Sequence, residues 1–237
     1  VSDDELVEAS ASPDPDPRKS VQIFVCGKKG WGKTELAYHL FDGYPFDRLA
    51  IDINGDLKMP EDTLFLEHPL PSRWPGDLYR EHFGPKKRQT LCFRPDAGDA
   101  EYRDDIDRAV GLAFAHGKTA LLVEEAHEAA PQNQTPPHMR RALRHGRHRD
   151  LTLILDTPRP MTIDPLCISQ ADYVYSFKLS NPADRKRVAD NIDWDPKDFD
   201  AAIAELKKHE FLRFDHAEDE LAHYPPLPAH YIKHHKS

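Results

Sequence analysis

No apolar run in the 237 residues approaches the ~20 needed to cross a bilayer, so a membrane-spanning helix is not expected. The N-terminus shows no signal-peptide pattern. Cysteine is scarce: Cys26, Cys92 and Cys167 are odd in number and far apart, which argues against a disulfide framework or a thiolate metal site. Two of them sit in apolar, strand-like runs, so buried free thiols in a reducing, cytoplasmic setting are expected. No internal repeat is visible. An excess of positive charge is also missing: 32 Lys and Arg stand against 41 Asp and Glu, for a formal net charge of -9.

That acidity is unevenly spread. Residues 1–19 carry six carboxylates, two basic residues and three prolines, the composition of a disordered acidic tail. Further on, basic residues bunch in "PKKRQ", in "MRRALRHGRHR" (Met139–Arg149) and in "DRKRV". Net charge therefore does not exclude a polyanionic partner. The organisation expected is the tail over 1–19, one domain over 20–224 and a solvated tail over 225–237.

Short, nearly continuous apolar runs at Val21–Cys26, Arg48–Gly55, Thr90–Pro95, Lys118–His127, Leu151–Thr157 and Ala171–Leu179 predict buried strands. Helical patterns at Thr34–Phe41, Asp104–His116, up to about Arg149, after Asn181-Pro182 and over Asp198–Lys208 alternate with them. Residues 56–89, rich in proline and charge, read as a long loop. "FLRFDHAEDELAHY" reads as two short strands around an acidic turn. Strands separated by helices predict an α/β fold, a mainly parallel sheet covered on both faces with a C-terminal β-hairpin.

The strongest signal is Gly27-Lys28-Lys29-Gly30-Trp31-Gly32-Lys33-Thr34, which fits the phosphate-loop pattern of glycine, four residues, then Gly-Lys-Thr. Glycines permit the tight turn and let backbone N–H groups close on phosphates, and the following helix, entered through Glu35, offers its positive end. Lys33 is placed to reach the β- and γ-phosphates of ATP, and Thr34 to hold Mg2+. With glycine at about 7% of residues, such a string arises by chance in roughly one chain of this length per hundred. The strand before it and the helix after it are the context that gives the match meaning. Trp31 is a candidate to cover or stack on the base.

Hydrolysis also needs an acid near the metal and a group to polarise water. "ALLVEEAH" supplies Glu124 and Glu125 at the end of a buried strand, where parallel sheets present their ligands. Glu124 is the candidate metal ligand and Glu125 the candidate base. His127 follows the pair and is placed to hydrogen-bond within the site; the other histidines show no metal-ligand spacing.

Taken in order, "RLAIDINGDL", "VEEAH", "LTLILDTPRP" and "DPLCISQADYVYSFKLSNPADRKRV" resemble segments of the FtsK/HerA superfamily of DNA-pumping ATPases. The resemblance covers most of residues 20–215 and implies a RecA-like P-loop NTPase fold. Two departures stand out: Glu124 where aspartate is usual, and Pro158 where the family carries a glutamine that senses the γ-phosphate. Thr157 is then the remaining sensor candidate. The family works as a ring, usually a hexamer, with an arginine reaching the neighbour's site. Arg140, Arg141, Arg144 and Arg147 are candidates, and Arg147 lies nearest the matching position.

A motor without large extra domains resembles the genome-packaging ATPases of membrane-containing, tailless double-stranded DNA viruses. That resemblance implies double-stranded DNA as cargo, a viral membrane or capsid vertex protein as a partner, and the host cytoplasm or virion as location. The loop Ala130–Pro137 and the basic residues after it are candidates for contact with DNA. Two other readings stay open: a virion assembly or export ATPase, and a nucleotide-gated interaction module that does not act on DNA.

Overall fold

The structure, a computed structural model, describes residues 7–8, 14–16, 18–76, 84 and 88–228. Ten strands form one sheet: β1 (Val7–Glu8), β2 (Gln22–Cys26), β3 (Asp47–Ile51), β4 (Leu64–Leu66), β5 (Thr90–Phe93), β6 (Thr119–Val123), β7 (Leu151–Thr157), β8 (Tyr173–Ser176), β9 (Phe211–Asp215) and β10 (Glu220–Tyr224). Their spatial order is β1-β10-β9-β8-β2-β7-β6-β3-β5-β4. Strands β2 to β8 pair in parallel, and β9 and β10 extend the sheet as an antiparallel hairpin. The expected parallel sheet with a C-terminal hairpin is present.

Helices among the described residues are α1 (Lys33–Gly43), α2 (Tyr102–His116), α3 (Pro137–His145), α4 (Leu166–Ser169), α5 (Pro182–Asn191) and α6 (Pro196–Glu205). Helix α1 buries Leu36, Ala37, Tyr38 and Phe41 on one face of the sheet, against Val25, Ala50, Leu122 and Ile154. Side chains from α2, α3, α5 and α6 cover the other, against Phe24, Ile51, Val123 and Leu155. Alternate residues of each central strand thus enter different cores, which is why these strands are apolar throughout rather than alternating. Asn181 caps α5 by accepting from Ala183 N at 2.9 Å, with Pro182 in the first turn.

The segment 56–89, expected to be all loop, differs at one place: Leu64–Leu66 adds the edge strand β4 in parallel to β5. Only three residues pair, and Phe65 stays exposed, so the strand has too little apolar pattern to announce itself. Within residues 1–19, Val7–Glu8 pairs in parallel with β10 and the Asp14 carboxylate lies 3.1 Å from His39, so those positions are placed on the domain; most of the others lie outside the described residues. The same holds for residues 229–237 of the C-terminal tail. All three cysteines are buried and free. No helix among the described residues is long and apolar enough to cross a membrane.

Candidate nucleotide site

At the end of β2 the chain turns through Gly27, Gly30 and Gly32 into α1. A Cβ on Gly27 would stand 2.5 Å from the Cβ of Phe177, so only glycine lets the loop close against the end of β8. Gly32 holds a left-handed φ of 100°, and no side chain caps α1. The first N–H groups of the helix are therefore left to whatever binds in the loop, the arrangement that suits an anion. Lys28 N donates to Lys178 O at 2.9 Å, which ties the loop to the segment after β8.

Opposite the loop, the sheet presents a row of charge. Ile51 is in register with Phe93 on one side and Val123 on the other, and Val123 with Leu155. One residue further along each strand, Arg94, Asp52, Glu124 and Asp156 follow one another across the sheet. Because their parity matches Cys92, Ala50, Leu122 and Ile154, which belong to the core under α1, all four extend on the side where α1 begins. Asp52 and Asp156 are fully buried and Glu124 is 4% exposed.

Each member has a defined partner. Arg94 Nε donates to Asp52 Oδ2 at 2.8 Å. Burial, then a side-chain hydrogen bond with Asp52 and repulsion from its charge, then repulsion from Asp156, push the Glu124 carboxyl up to about 8. Thr34 Oγ1 donates to Asp156 Oδ2 at 2.8 Å, and Lys33 Nζ lies 3.3 Å from Asp156 Oδ1. Burial raises the Asp156 carboxyl, and the opposing pull of Lys33 and Thr34 only partly offsets it. Burial alone depresses the Lys33 ammonium, but Asp156, Glu125 and Glu124 outweigh it and leave it above its ordinary value. Glu124 Oε2 is buried without a hydrogen-bond partner, whereas Asp156 Oδ1 is met by the Lys33 ammonium.

Beyond β6, Glu125 adopts a left-handed φ of 49°, uncommon for a residue with a Cβ and a form of strain that gathers at functional positions. This kink separates the two glutamates. Glu124 stays in the buried row, while Glu125 is partly exposed, accepting from Asn54 Nδ2 at 3.4 Å and lying 3.4 Å from His127 Nδ1. The same His127 nitrogen is 3.3 Å from Thr157 Oγ1, which also accepts from Arg159 N at 3.2 Å. Thr157 is thus connected to Glu125 through one imidazole.

A cavity of about 240 Å3 joins these parts, with Gly32, Lys33, Thr34, Glu124, Glu125 and Pro158 on its walls. Lys29, Gly30 and Glu35 line it as well. Of the loop residues named from sequence, Gly27, Lys28 and Trp31 are not among its lining residues; the Lys28 ammonium lies 5.2 Å from the Trp31 ring centre. Arg147 is at the opposite end of β7, about 20 Å from Thr157 along the strand; it sits 3.1 Å from Asp172 and donates to Gln170 O at 2.7 Å. Asp52, Arg94 and Asp156 belong to the site and were not anticipated. The signals available were the aspartate ending the strand in "RLAIDINGDL", Asp52, and Asp156, a carboxylate inside the apolar run "LTLILDT".

Outside this cavity, His68 Nδ1 lies 2.7 Å from Asp105 Oδ2 near Glu101, a grouping not visible in residue spacing. Arg108 bridges both carboxylates at 2.8 and 2.9 Å, so their charge is already met by a guanidinium.

No protein-family model matches the chain. The DNA packaging ATPase P9 of Enterobacteria phage PRD1 is 24% identical over 218 residues, covering 90% of this chain and 89% of that protein. The genome packaging NTPase B204 of Sulfolobus turreted icosahedral virus 2, in complex with ATP-gammaS, matches with a TM-score of 0.69 at 19% identity, covering 90% of this chain and all of that one. B204, the DNA-packaging ATPase of Sulfolobus turreted icosahedral virus, matches with a TM-score of 0.61 at 18% identity, covering 89% of this chain and 100% of that chain. The chain is homologous to the phage PRD1 protein and has the P-loop NTPase fold of the B204 structures.

Proposed function

We propose that this chain is an ATP-hydrolysing motor that packages double-stranded viral DNA. The observation that carries the reading is the facing of the glycine loop and the α1 N-terminus, across one cavity, by a row of buried carboxylates and a separately held Glu125. Homology over 90% of the chain to a packaging ATPase gives that chemistry its setting.

The loop N–H groups and Lys33 bind the β- and γ-phosphates. The donor set fits Mg2+: a threonine hydroxyl and two buried carboxylates, of which Glu124 carries an oxygen without a hydrogen-bond partner, are the hard oxygen ligands this ion takes beside phosphates. Thr34, Glu124 and Asp156 would hold it, and when bound it neutralises charge on the phosphates. Glu125 orients the attacking water and accepts its proton, with Asn54 and His127 fixing the carboxylate. Thr157, through His127, links the end of β7 to that base, a sensing route that does not need the glutamine replaced by Pro158.

Arg147, far from its own chain's cavity, can act as an arginine finger only on a neighbouring copy, which is why we place the chain in a ring, by family resemblance a hexamer. For DNA, the supporting feature is a groove of about 630 Å3 between α2 and α3, walled by His138, Arg141, His145, His148 and Arg149 with no carboxylate among its lining residues. In a chain of net charge -9 such a groove is suited to phosphates, giving salt-dependent and largely sequence-independent binding. A viral membrane or capsid vertex protein is the further partner this role calls for.

ATP turnover measured with and without double-stranded DNA at low salt, together with particle mass, tests the reading. Stimulation by DNA and a multimeric mass are expected. ATP turnover unaffected by DNA, with no DNA binding at low salt, would instead favour a nucleotide-gated interaction module.

A further inference from the structure

After β3 the chain makes a short loop, residues 52–57, whose ends are buried and whose tip is exposed. The tip is the part that meets the phosphate cavity. Asn54 and Asp56 both line that cavity, and Asn54 Nδ2 donates to Glu125 Oε1 at 3.4 Å. Between them Gly55 has a left-handed φ of 73°, and a Cβ there would meet nothing within 4 Å. Where the tip stands is therefore decided by how its ends are held.

The ends are tied to each other by Arg94, the residue after β5. Its Nε donates to Asp52 Oδ2 at 2.8 Å and its Nη2 to Leu57 O at 2.9 Å, so one planar group grips the first residue of the loop and the last. Asp52 closes the ring by accepting from Leu57 N at 3.3 Å. The guanidinium also lies 4.8 Å from the centre of the Phe65 ring, a cation–π contact supplied by strand β4. A cation needed only to neutralise Asp52 could be a lysine. Two separate acceptors, a carboxylate and a carbonyl, call for the fixed fork of an arginine.

We propose that Arg94 is a positioning residue for hydrolysis: it fixes loop 52–57 so that Asn54 holds Glu125 toward the attacking water. The inference rests on the reading of Glu125 as the base. Arg94 is not among the residues lining the cavity, so it acts through Asn54 and leaves nucleotide binding alone. Strand β4 thereby gains a part in the chemistry, because its Phe65 packs on the clamp.

The test is a double-mutant cycle on the full chain, reading ATP turnover, ADP affinity and the Mg2+ requirement. Asn54→Ala and Arg94→Ala are each expected to lower kcat about tenfold, within the range for a misplaced reacting group. ADP affinity and the Mg2+ concentration for half-maximal turnover should stay within about twofold of wild type. The double variant should match the single ones rather than fall about a hundredfold, since both changes remove the same contact. Arg94→Ala leaves the buried Asp52 carboxylate without its cation, and if that chain does not fold the cycle is run with Arg94→Lys. The lysine variant keeps a cation but not the fork. It is expected to hold Tm within about 2 °C of wild type with kcat still lowered about fivefold. Wild-type kcat in Asn54→Ala or in Arg94→Lys, or additive losses in the double variant, would each overturn the proposal. So would a shifted Mg2+ requirement, which would route Arg94 through Asp52 and Glu124 instead. Wild-type chain that does not turn over ATP would overturn the reading of the site itself, a distinguishable failure.

Discussion

Replacing Asp156 by asparagine removes one charge from the centre of the site and almost nothing else. In the folded chain its two oxygens serve different partners, Thr34 at 2.8 Å and the Lys33 ammonium at 3.3 Å, and both Asp156 and Lys33 are nearly free of solvent. Removing one member of such a pair costs about 3–5 kcal/mol, because the other charge is left buried and unmatched. Three features place Asp156→Asn at the lower end. The new amide oxygen can still accept from Thr34, Lys33 keeps the fields of Glu125 and Glu124, and the desolvation that raises the Asp156 carboxyl disappears with it. A loss of about 3 kcal/mol corresponds, for a domain of this size, to a fall in Tm of roughly 6–12 °C. Thermal unfolding followed by circular dichroism measures it. A shift below about 2 °C, with normal ATP turnover, would refute the claim that Asp156 couples the sheet to the phosphate loop.

The Glu124 carboxyl is raised to about 8 from its ordinary value of 4.5. Between those values the folded chain holds a proton that the unfolded chain has lost, so this group's stabilisation is full below the lower value and declines as pH rises through the upper one. Stability from urea unfolding should fall over that window, and Glu124→Gln should flatten the slope; an unchanged slope in the variant contradicts the raised Glu124 carboxyl. Gly27→Ala forces a Cβ to 2.5 Å from Phe177, and the overpacking should cost about 2 kcal/mol or more. Gly30→Ala, which meets nothing within 4 Å but has a φ of 77°, should cost only the strain of about 1–2 kcal/mol. Equal losses in nucleotide affinity for the two variants would mean that closure of the loop on β8 does not matter.

The glycine loop between β2 and α1 was legible in sequence because its requirement is local: eight consecutive residues, with glycines where the backbone turns tightly. The strands were legible because burial on both faces leaves apolar runs, as in the seven buried residues of β7. The charged row was not. Arg94, Asp52, Glu124 and Asp156 come from four strands, and what makes them neighbours is parallel register, which no spacing along the chain encodes. The paired glutamates showed a similar limit. Sequence order already gave Glu124 and Glu125 different candidate roles, but not that the left-handed backbone at Glu125 leaves one carboxyl buried and the other partly exposed. Strand β4 escaped because three residues with one side chain exposed carry too little periodicity.

The most direct measurement is ATP binding and hydrolysis by Glu125→Gln beside Lys33→Ala. The account requires that Glu125→Gln bind ATP about as well as wild type while turnover falls by about 10²-fold or more, the range for loss of a positioned base, and that Lys33→Ala lose binding. Hydrolysis at the wild-type rate by Glu125→Gln would contradict the assignment of the site.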